Sequence, residues 1–302
     1  MPDRYALVLT SSPAAPALGR DAVDRAVSAF PDGLSPDPGW LAEGEAWQAA
    51  FVAKGPGEPE RVRSAVAAAL TDFPIDVNVV ANDAARRKKL LVADMESTII
   101  EQECLDELAD HIGLRDRISE ITARAMRGEI AFEEALKERV GLLKGLDADV
   151  LQKLYDRITL VPGARELVAT MRKNGAYCAL VSGGFTFFTE RIAKRLGFDT
   201  HQANRLAIVD GKLAGTVASP ILGREAKLAA LKRLTQELGL DPQETLAVGD
   251  GANDLDMIRA AGLGVAFRAK PITAAEAKAA IRHGDLTALL YLQGYRKDEF
   301  AR

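Results

Sequence analysis

Four short stretches carry side chains that could do chemistry together. Asp94 and Glu96 follow a short apolar run, Leu90 to Ala93, in "VADMESTII". Ser182, Gly183 and Gly184 close a second run in "AYCALVSGG", and Asp250, Asn253 and Asp254 follow a third in "TLAVGDGANDLDM". Lys227 lies near the start of a helical stretch, "GREAKLAALKRL". Three carboxylates in one place repel one another and need a cation; Mg2+ suits hard oxygen donors and keeps several of its waters. A Ser-Gly-Gly turn offers a hydroxyl and exposed backbone N–H groups, which suit a phosphate. A lysine supplies a point charge for the same group. Metal, lysine and backbone donors are the parts of a phosphoryl-transfer site. No glycine-rich P-loop ending in Gly-Lys-Ser or Gly-Lys-Thr occurs, which disfavours a nucleotide-driven kinase and leaves a carboxylate nucleophile as the better reading. Taken singly, each residue has a plainer role: Asp94 as a helix N-cap, "VSGG" as a turn, Lys227 as a solvated helix residue. Their occurrence in order at the ends of successive strands is what argues for a site.

The elements that must position these groups are legible as pattern. "KLLVAD", "AYCALVSGG", "TLAVGDG" and "GLGVAF" are nearly all apolar, as parallel strands buried on both faces are. Helical patterns separate them, which predicts an α/β fold with a doubly wound, Rossmann-like parallel sheet and ligands at the carboxyl ends of its strands. The first two runs are separated by about eighty residues, far more than an ordinary crossover. Four segments there have apolar residues at helical spacing, beginning "IIEQECLDELADHIGL", "DRISEITARAMRG", "AFEEALKERVGLLKG" and "DADVLQKLYDRI". They predict a helical cap at about residues 99–159, set over a core of residues 88–98 and 160–302. Upstream, the order β-α-β(β)-α-β within residues 1–82 predicts a small α+β, ferredoxin-like domain. The polar "NDAARRKK" then forms the boundary with a second domain, residues 83–302.

Bulk properties set the frame. A chain of 302 residues suggests about two domains. With 48% hydrophobic and 27% charged residues it reads as a soluble globular protein. A net charge of -4 offers no basic stripe for nucleic acid, and no apolar run is long enough to span a bilayer or act as a signal peptide. Cys104 and Cys178 are the only cysteines. They make no disulfide framework, so a reduced, cytoplasmic location is expected. His111, His201 and His283 are far apart in sequence and are read as structural or surface residues.

"DMEST", "VSGG", Lys227 and "GDGAND" resemble, in order, the four motifs of the haloacid dehalogenase superfamily, over about residues 88 to 290. Within it, "EQECLDELA", "RAMRGEIAFEEALKERVGLLKG" and "VPGARELV" resemble the phosphoserine phosphatase family. The resemblance implies hydrolysis of phosphoserine to serine and phosphate, as the last step of serine biosynthesis. It implies that Asp94 attacks phosphorus to form an aspartyl-phosphate, and that Glu96 protonates the leaving oxygen and then activates water. Mg2+ would be held by Asp94, the backbone carbonyl of Glu96 and Asp250, with Asp254 and Asn253 in support and Asn253 also on the substrate side. Ser182, the Gly183 N–H and Lys227 would hold phosphoryl oxygens. Glu103 would bind the substrate's amine and Arg139 its carboxylate, with Met126 and Phe132 lining the pocket. Glu96 departs from the family's more usual Asp; its extra methylene requires the carboxyl to fold back to hold the same distance. Residues 1–82 resemble an ACT-like domain by element order, and could bind an amino acid, mediate homodimerisation, or only pack. A phosphatase or phosphotransferase for another small acceptor such as homoserine, and a silent amino-acid sensor, remain as rival readings. The intact Asp94, Lys227 and Asp250 argue against the sensor.

Overall fold

The computed structural model describes residues 4–126 and 129–301. The first unit runs β1 (Arg4–Ser11), α1 (Arg20–Ser28), β2 (Asp37–Ala42), β3 (Ala46–Val52), α2 (Glu58–Ala69) and β4 (Ile75–Ala81), with sheet order β2-β3-β1-β4. Side chains alternate across a strand, and the two faces have different partners. Leu7 and Leu9 join Ala22, Ala26, Val62 and Val66 of the helices in one apolar cluster. Ala6 and Val8 face the other way, into a cluster that includes Leu289, Tyr291 and Leu292 near the C-terminus.

The second sheet has six parallel strands in the order β12-β11-β10-β5-β6-β7. It begins with β5 (Leu90–Ala93), leaves through α3 (Cys104–His111), α4 (Arg115–Met126), α5 (Phe132–Gly141) and α6 (Asp149–Tyr155), and returns by α7 (Ala164–Lys173) to β6 (Tyr177–Phe185). Then follow α8 (Thr186–Leu196), β7 (Thr200–Asn204), the hairpin β8 (Leu206–Val209) and β9 (Lys212–Val217), and α9 (Arg224–Glu237). The chain ends through β10 (Thr245–Gly249), α10 (Leu255–Ala260), β11 (Leu263–Phe267), α11 (Pro271–Glu276), β12 (Ala279–Ile281) and α12 (Ala288–Leu292). Both sheet faces are covered: Leu90 and Val92 pack toward Leu231 and Ile258, while Leu91 and Ala93 belong to the cluster of Leu167, Met171 and Ile192. That is why β5 reads as an unbroken apolar run. The sequence pattern missed β7, β8, β9 and β12, which are short or carry polar residues such as "THQAN".

Helices α3 to α6 rise from two segments that pair with each other. Val161 N–H donates to Ile99 O at 3.0 Å and Glu101 N–H to Thr159 O at 3.1 Å, and Gln102 bonds Thr159 through both its amide atoms. From below, β9 supports the end of α5: Gly145 N–H donates to Leu213 O, and Leu213 N–H to Leu146 O, each at 2.8 Å.

Side chains of β4 join the two units. Asn78 exchanges hydrogen bonds with the backbone of Ala280, at 3.1 and 2.9 Å. Asp76, 4% exposed, accepts N–H groups from Arg282, His283 and Gly284. Removing this carboxylate leaves three N–H groups unpaired at a buried seam, each costing about 1–3 kcal/mol. Asp76→Ala should therefore lower Tm by several degrees in calorimetry, while Asp76→Asn, which keeps an acceptor oxygen, should recover much of the loss.

Candidate active site

The chain starts its sheet at β5, adds β6 and β7 on one side, then crosses back to place β10 on the other. Ligands in such sheets bind in the crevice where strand order reverses, beyond the carboxyl ends. Asp94 and Asp250 stand at the two lips of that crevice. Asp94 keeps the register of β5, its N–H donating to Val248 O at 3.0 Å. The chain then folds into a tight loop in which the N–H groups of Ile99 and Ile100 converge on Met95 O, at 2.8 and 2.9 Å. Ser97 takes a left-handed φ of 53° within it.

Three carboxylates, Asp94, Asp250 and Asp254, offer oxygens that all lie within 4.8 Å of one another. Lys227, 2% exposed in the first turn of α9, reaches Asp94 Oδ2 at 2.8 Å and Asp254 Oδ1 at 2.6 Å. The second oxygen of Asp254 accepts the Gly251 N–H at 3.0 Å, so both its oxygens are engaged. Asp254 folds back beneath the end of β10, where a Cβ on Gly249 would lie 2.2 Å from its Cγ; only glycine fits there. Burial, reinforced by repulsion from Asp254 and Asp250, pushes the Asp94 carboxyl well up, against the pull of Lys227. Burial and the charges of Asp254 and Glu103 push Asp250 up to about 6. Burial opposes charge on Lys227, but Asp94 and Asp254 outweigh it and hold the ammonium above its ordinary value. A crowded set of hard oxygen donors with surplus negative charge fits a divalent cation such as Mg2+.

Beyond β5 the crevice is bordered by β6. Its ladder with β7 skips from Val181 to Phe185, so Ser182, Gly183 and Gly184 bulge from the sheet. Ser182 is buried, and its Oγ accepts the Gly184 N–H at 2.9 Å. The structure thus brings Asp94, Lys227, Asp250, Asp254 and the 182–184 bulge together around one crevice. Asn253 is exposed and lies over Gly251, where a Cβ would meet its Oδ1 at 2.3 Å.

Glu96 and Glu103 face the crevice from the base of the cap. Glu96 Oε1 accepts the Cys104 N–H at 2.8 Å. Its Oε2 lies against Gly184, where a Cβ would come within 2.7 Å. The longer side chain has folded back between the first turn of α3 and the 182–184 bulge. Burial and the nearby Glu103 raise its pKa to about 7. Glu103 accepts from Ser97 Oγ at 2.6 Å, and burial raises its carboxyl as well. Arg139 on α5 is half-buried and bonds only neutral acceptors among the described residues, Ala135 O at 3.3 Å and Thr122 Oγ1 at 3.4 Å. Burial lowers its pKa, while Asp106, Glu96 and Glu103 oppose the fall. The ring of Phe132 covers Gly183 and Gly223 at 3.7 and 3.4 Å from the positions their Cβ atoms would take. The Met126 side chain lies outside the described residues. Sequence reasoning missed Ser97, Thr98 (3.5 Å from Asp250 Oδ1) and Asn204. The first two sit inside "DMEST" and could have been flagged by position; Asn204 carried no signal.

The profile of haloacid dehalogenase-like hydrolases matches residues 91–259, and the chain belongs to that family. Among its relatives, the phosphoserine phosphatase of Streptomyces coelicolor is 44% identical over 243 residues, covering 80% of this chain and 59% of that protein. That of Streptococcus thermophilus is 46% identical over 199 residues, 66% of this chain and 93% of that one. A probable phosphoserine phosphatase from Vibrio cholerae, in unliganded form, superposes with a TM-score of 0.76 at 31% identity, covering 96% of this chain and 86% of that chain. The chain spans 52% to 59% of the length of three curated phosphoserine phosphatases it matches, that of Streptomyces coelicolor among them. No helix among the described residues is long and apolar enough to cross a membrane.

Proposed function

We propose that the chain is a Mg2+-dependent phosphatase that hydrolyses O-phospho-L-serine to L-serine and phosphate, the last step of serine biosynthesis. The observation that carries this reading is a phosphoryl-type crevice roofed by one acid and one base that are not paired with each other. Glu103 and Arg139 feel each other's charge, yet no ion pair joins them among the described residues. That arrangement suits a small zwitterion presenting an ammonium to Glu103 and a carboxylate to Arg139, whose fork grips a carboxylate through two hydrogen bonds. The names of the similar proteins point the same way.

In this reading Ser182, the Gly183 N–H and Lys227 hold the phosphoryl oxygens, with Asn253 at the rim. Asp94 attacks phosphorus, its oxygen forming the new P–O bond as the bond to the serine oxygen breaks. Glu96, raised to about 7, carries a proton near neutral pH and gives it to the departing oxygen. It then takes a proton from the water that hydrolyses the aspartyl-phosphate, which returns both groups to their starting state. Mg2+, held by Asp94, Asp250 and the Glu96 carbonyl, would offset the charge on the phosphoryl oxygens. Phe132 and the cap exclude water in the first step and must open for the second. Residues 1–82 form the accessory domain, and residues 83–302 the catalytic one. Two buried, unpaired cysteines suit a reducing cytoplasm.

The test is steady-state phosphate release from phosphoserine, phosphothreonine and an aryl phosphate, with and without homoserine. Phosphoserine should be the preferred substrate, and chelation should stop release until Mg2+ is restored. Arg139→Ala should lower kcat/KM for phosphoserine about 10²-fold, as expected for a lost charge-assisted contact. The same change should alter aryl phosphate turnover by less than about threefold. Equal losses would take Arg139 out of recognition, and preferred transfer to homoserine would overturn the substrate assignment.

A further inference from the structure

Asn204 ends β7, next to Phe185 across the gap in the β6–β7 ladder. It is 1% exposed. Its Nδ2 donates to Gly183 O at 2.8 Å and to Leu222 O at 3.1 Å, and its Oδ1 accepts the Leu222 N–H at 2.7 Å. Both amide protons are therefore spent on the backbone, and each bond acts on a part of the crevice.

The first bond fixes the peptide between Gly183 and Gly184. Asn204 grips the carbonyl of that peptide, and Ser182 Oγ accepts its N–H at 2.9 Å. Because Ser182 Oγ is already an acceptor there, its own proton is left to donate elsewhere. The other two bonds fix Leu222, which precedes Gly223, the N-cap residue of α9. Lys227 is carried in the first turn of that helix. One buried amide thus ties the 182–184 bulge to the segment that starts the helix carrying Lys227. Phe132 rests on Gly183 and Gly223, the residues flanking this tie, so the cap closes over the same seam.

We infer that Asn204 is a positioning residue for phosphoryl transfer. It touches no reacting atom and acts through Ser182, Gly183 and Lys227; the inference rests on the reading that these three hold the phosphoryl group. Misplacement of such donors by about 1 Å costs up to 10²-fold in rate. Asn204→Ala should lower kcat/KM by about 10- to 10²-fold, by the same factor on phosphoserine and on an aryl phosphate, unlike Arg139→Ala. It should also weaken the inhibition constant of inorganic phosphate by about tenfold. Loss of folded protein would lower kcat but leave that constant where it was, so the constant separates positioning from stability.

Should Asn204→Ala melt below the assay temperature, Asn204→Asp carries the test with the same readouts. It is isosteric and still accepts from Leu222 N–H, but loses the donor to both Gly183 O and Leu222 O. Phosphate inhibition and aryl phosphate turnover both within twofold of the parent chain would overturn the inference. A parent chain that hydrolyses no phosphomonoester would instead overturn the proposed function on which it rests.

Discussion

Asp94→Asn should give a folded protein that releases no measurable phosphate from phosphoserine, a loss on the order of 10⁴-fold or more, as nucleophile removals in covalent hydrolases show. Two observations indicate that the variant folds. The side chain keeps its shape, so Oδ1 can still accept the Met95 N–H, which it now does at 2.8 Å. Lys227 keeps Asp254 as a partner at 2.6 Å, so no buried ammonium is left without a counter-charge. The substitution removes one of three mutually repelling carboxylates but sets the new amide nitrogen, in the place of Oδ2, against the Lys227 ammonium. The two effects oppose each other, so Tm should stay within a few degrees of the parent. An amide oxygen is a poor nucleophile and cannot form the acyl-phosphate, whereas binding through Ser182 and Lys227 should survive. Inorganic phosphate should still protect Asp94→Asn against thermal unfolding. Residual turnover within about 10²-fold of the parent would show that another group attacks phosphorus.

The parts of the molecule that were legible in sequence are those where one short segment decides its own structure. The run Leu90 to Ala93 reads as a strand buried on both faces, and the acid beyond it stands at the strand's end. Helical spacing in the insertion gave α3 to α6 without knowledge of what they cover. What stayed hidden depends on contacts between distant segments. Asn204 is a polar residue in a weak edge strand, and its meaning comes from Gly183 and Leu222, each about twenty residues away. Asp76 is a charged residue inside a strand; its four hydrogen bonds go to residues more than two hundred positions later. The short β12, at the sheet edge beside β4, has no pattern of its own and exists because Ala280 pairs with Asn78 on one side and β11 lies on the other. The ferredoxin-like order of residues 1–82 could be read, but the packing of its second face onto α12 could not.

Glu96 provides the sharpest remaining test, because its length and its charge can be varied separately. If it moves the proton, Glu96→Gln should lose about 10²- to 10³-fold in kcat, within the range expected for general acid–base catalysis. Glu96→Asp should retain at least about a tenth of the parent rate, since proton transfer needs only hydrogen-bond reach. The structure adds a cost that sequence alone did not show. The Glu96 carboxylate holds the Cys104 N–H, at the start of the first cap helix, and an aspartate is too short to keep that bond and still reach the crevice. Part of the loss in Glu96→Asp should therefore come from looser seating of the cap, and appear in KM as well as kcat. Gly184 offers a way to separate the two effects. An alanine there would place its Cβ 2.7 Å from Glu96 Oε2 and 3.1 Å from Ser182 Oγ. Gly184→Ala should be damaging in the parent chain and less damaging in the Glu96→Asp background, where the shorter side chain withdraws from that space and leaves only the Ser182 contact. The double variant should thus be more active than the product of the single losses predicts, a coupling expected only for groups in contact. Strict additivity would mean that the Glu96 carboxylate does not rest on Gly184 while the enzyme turns over, and that its folded-back position is not the one from which it transfers the proton.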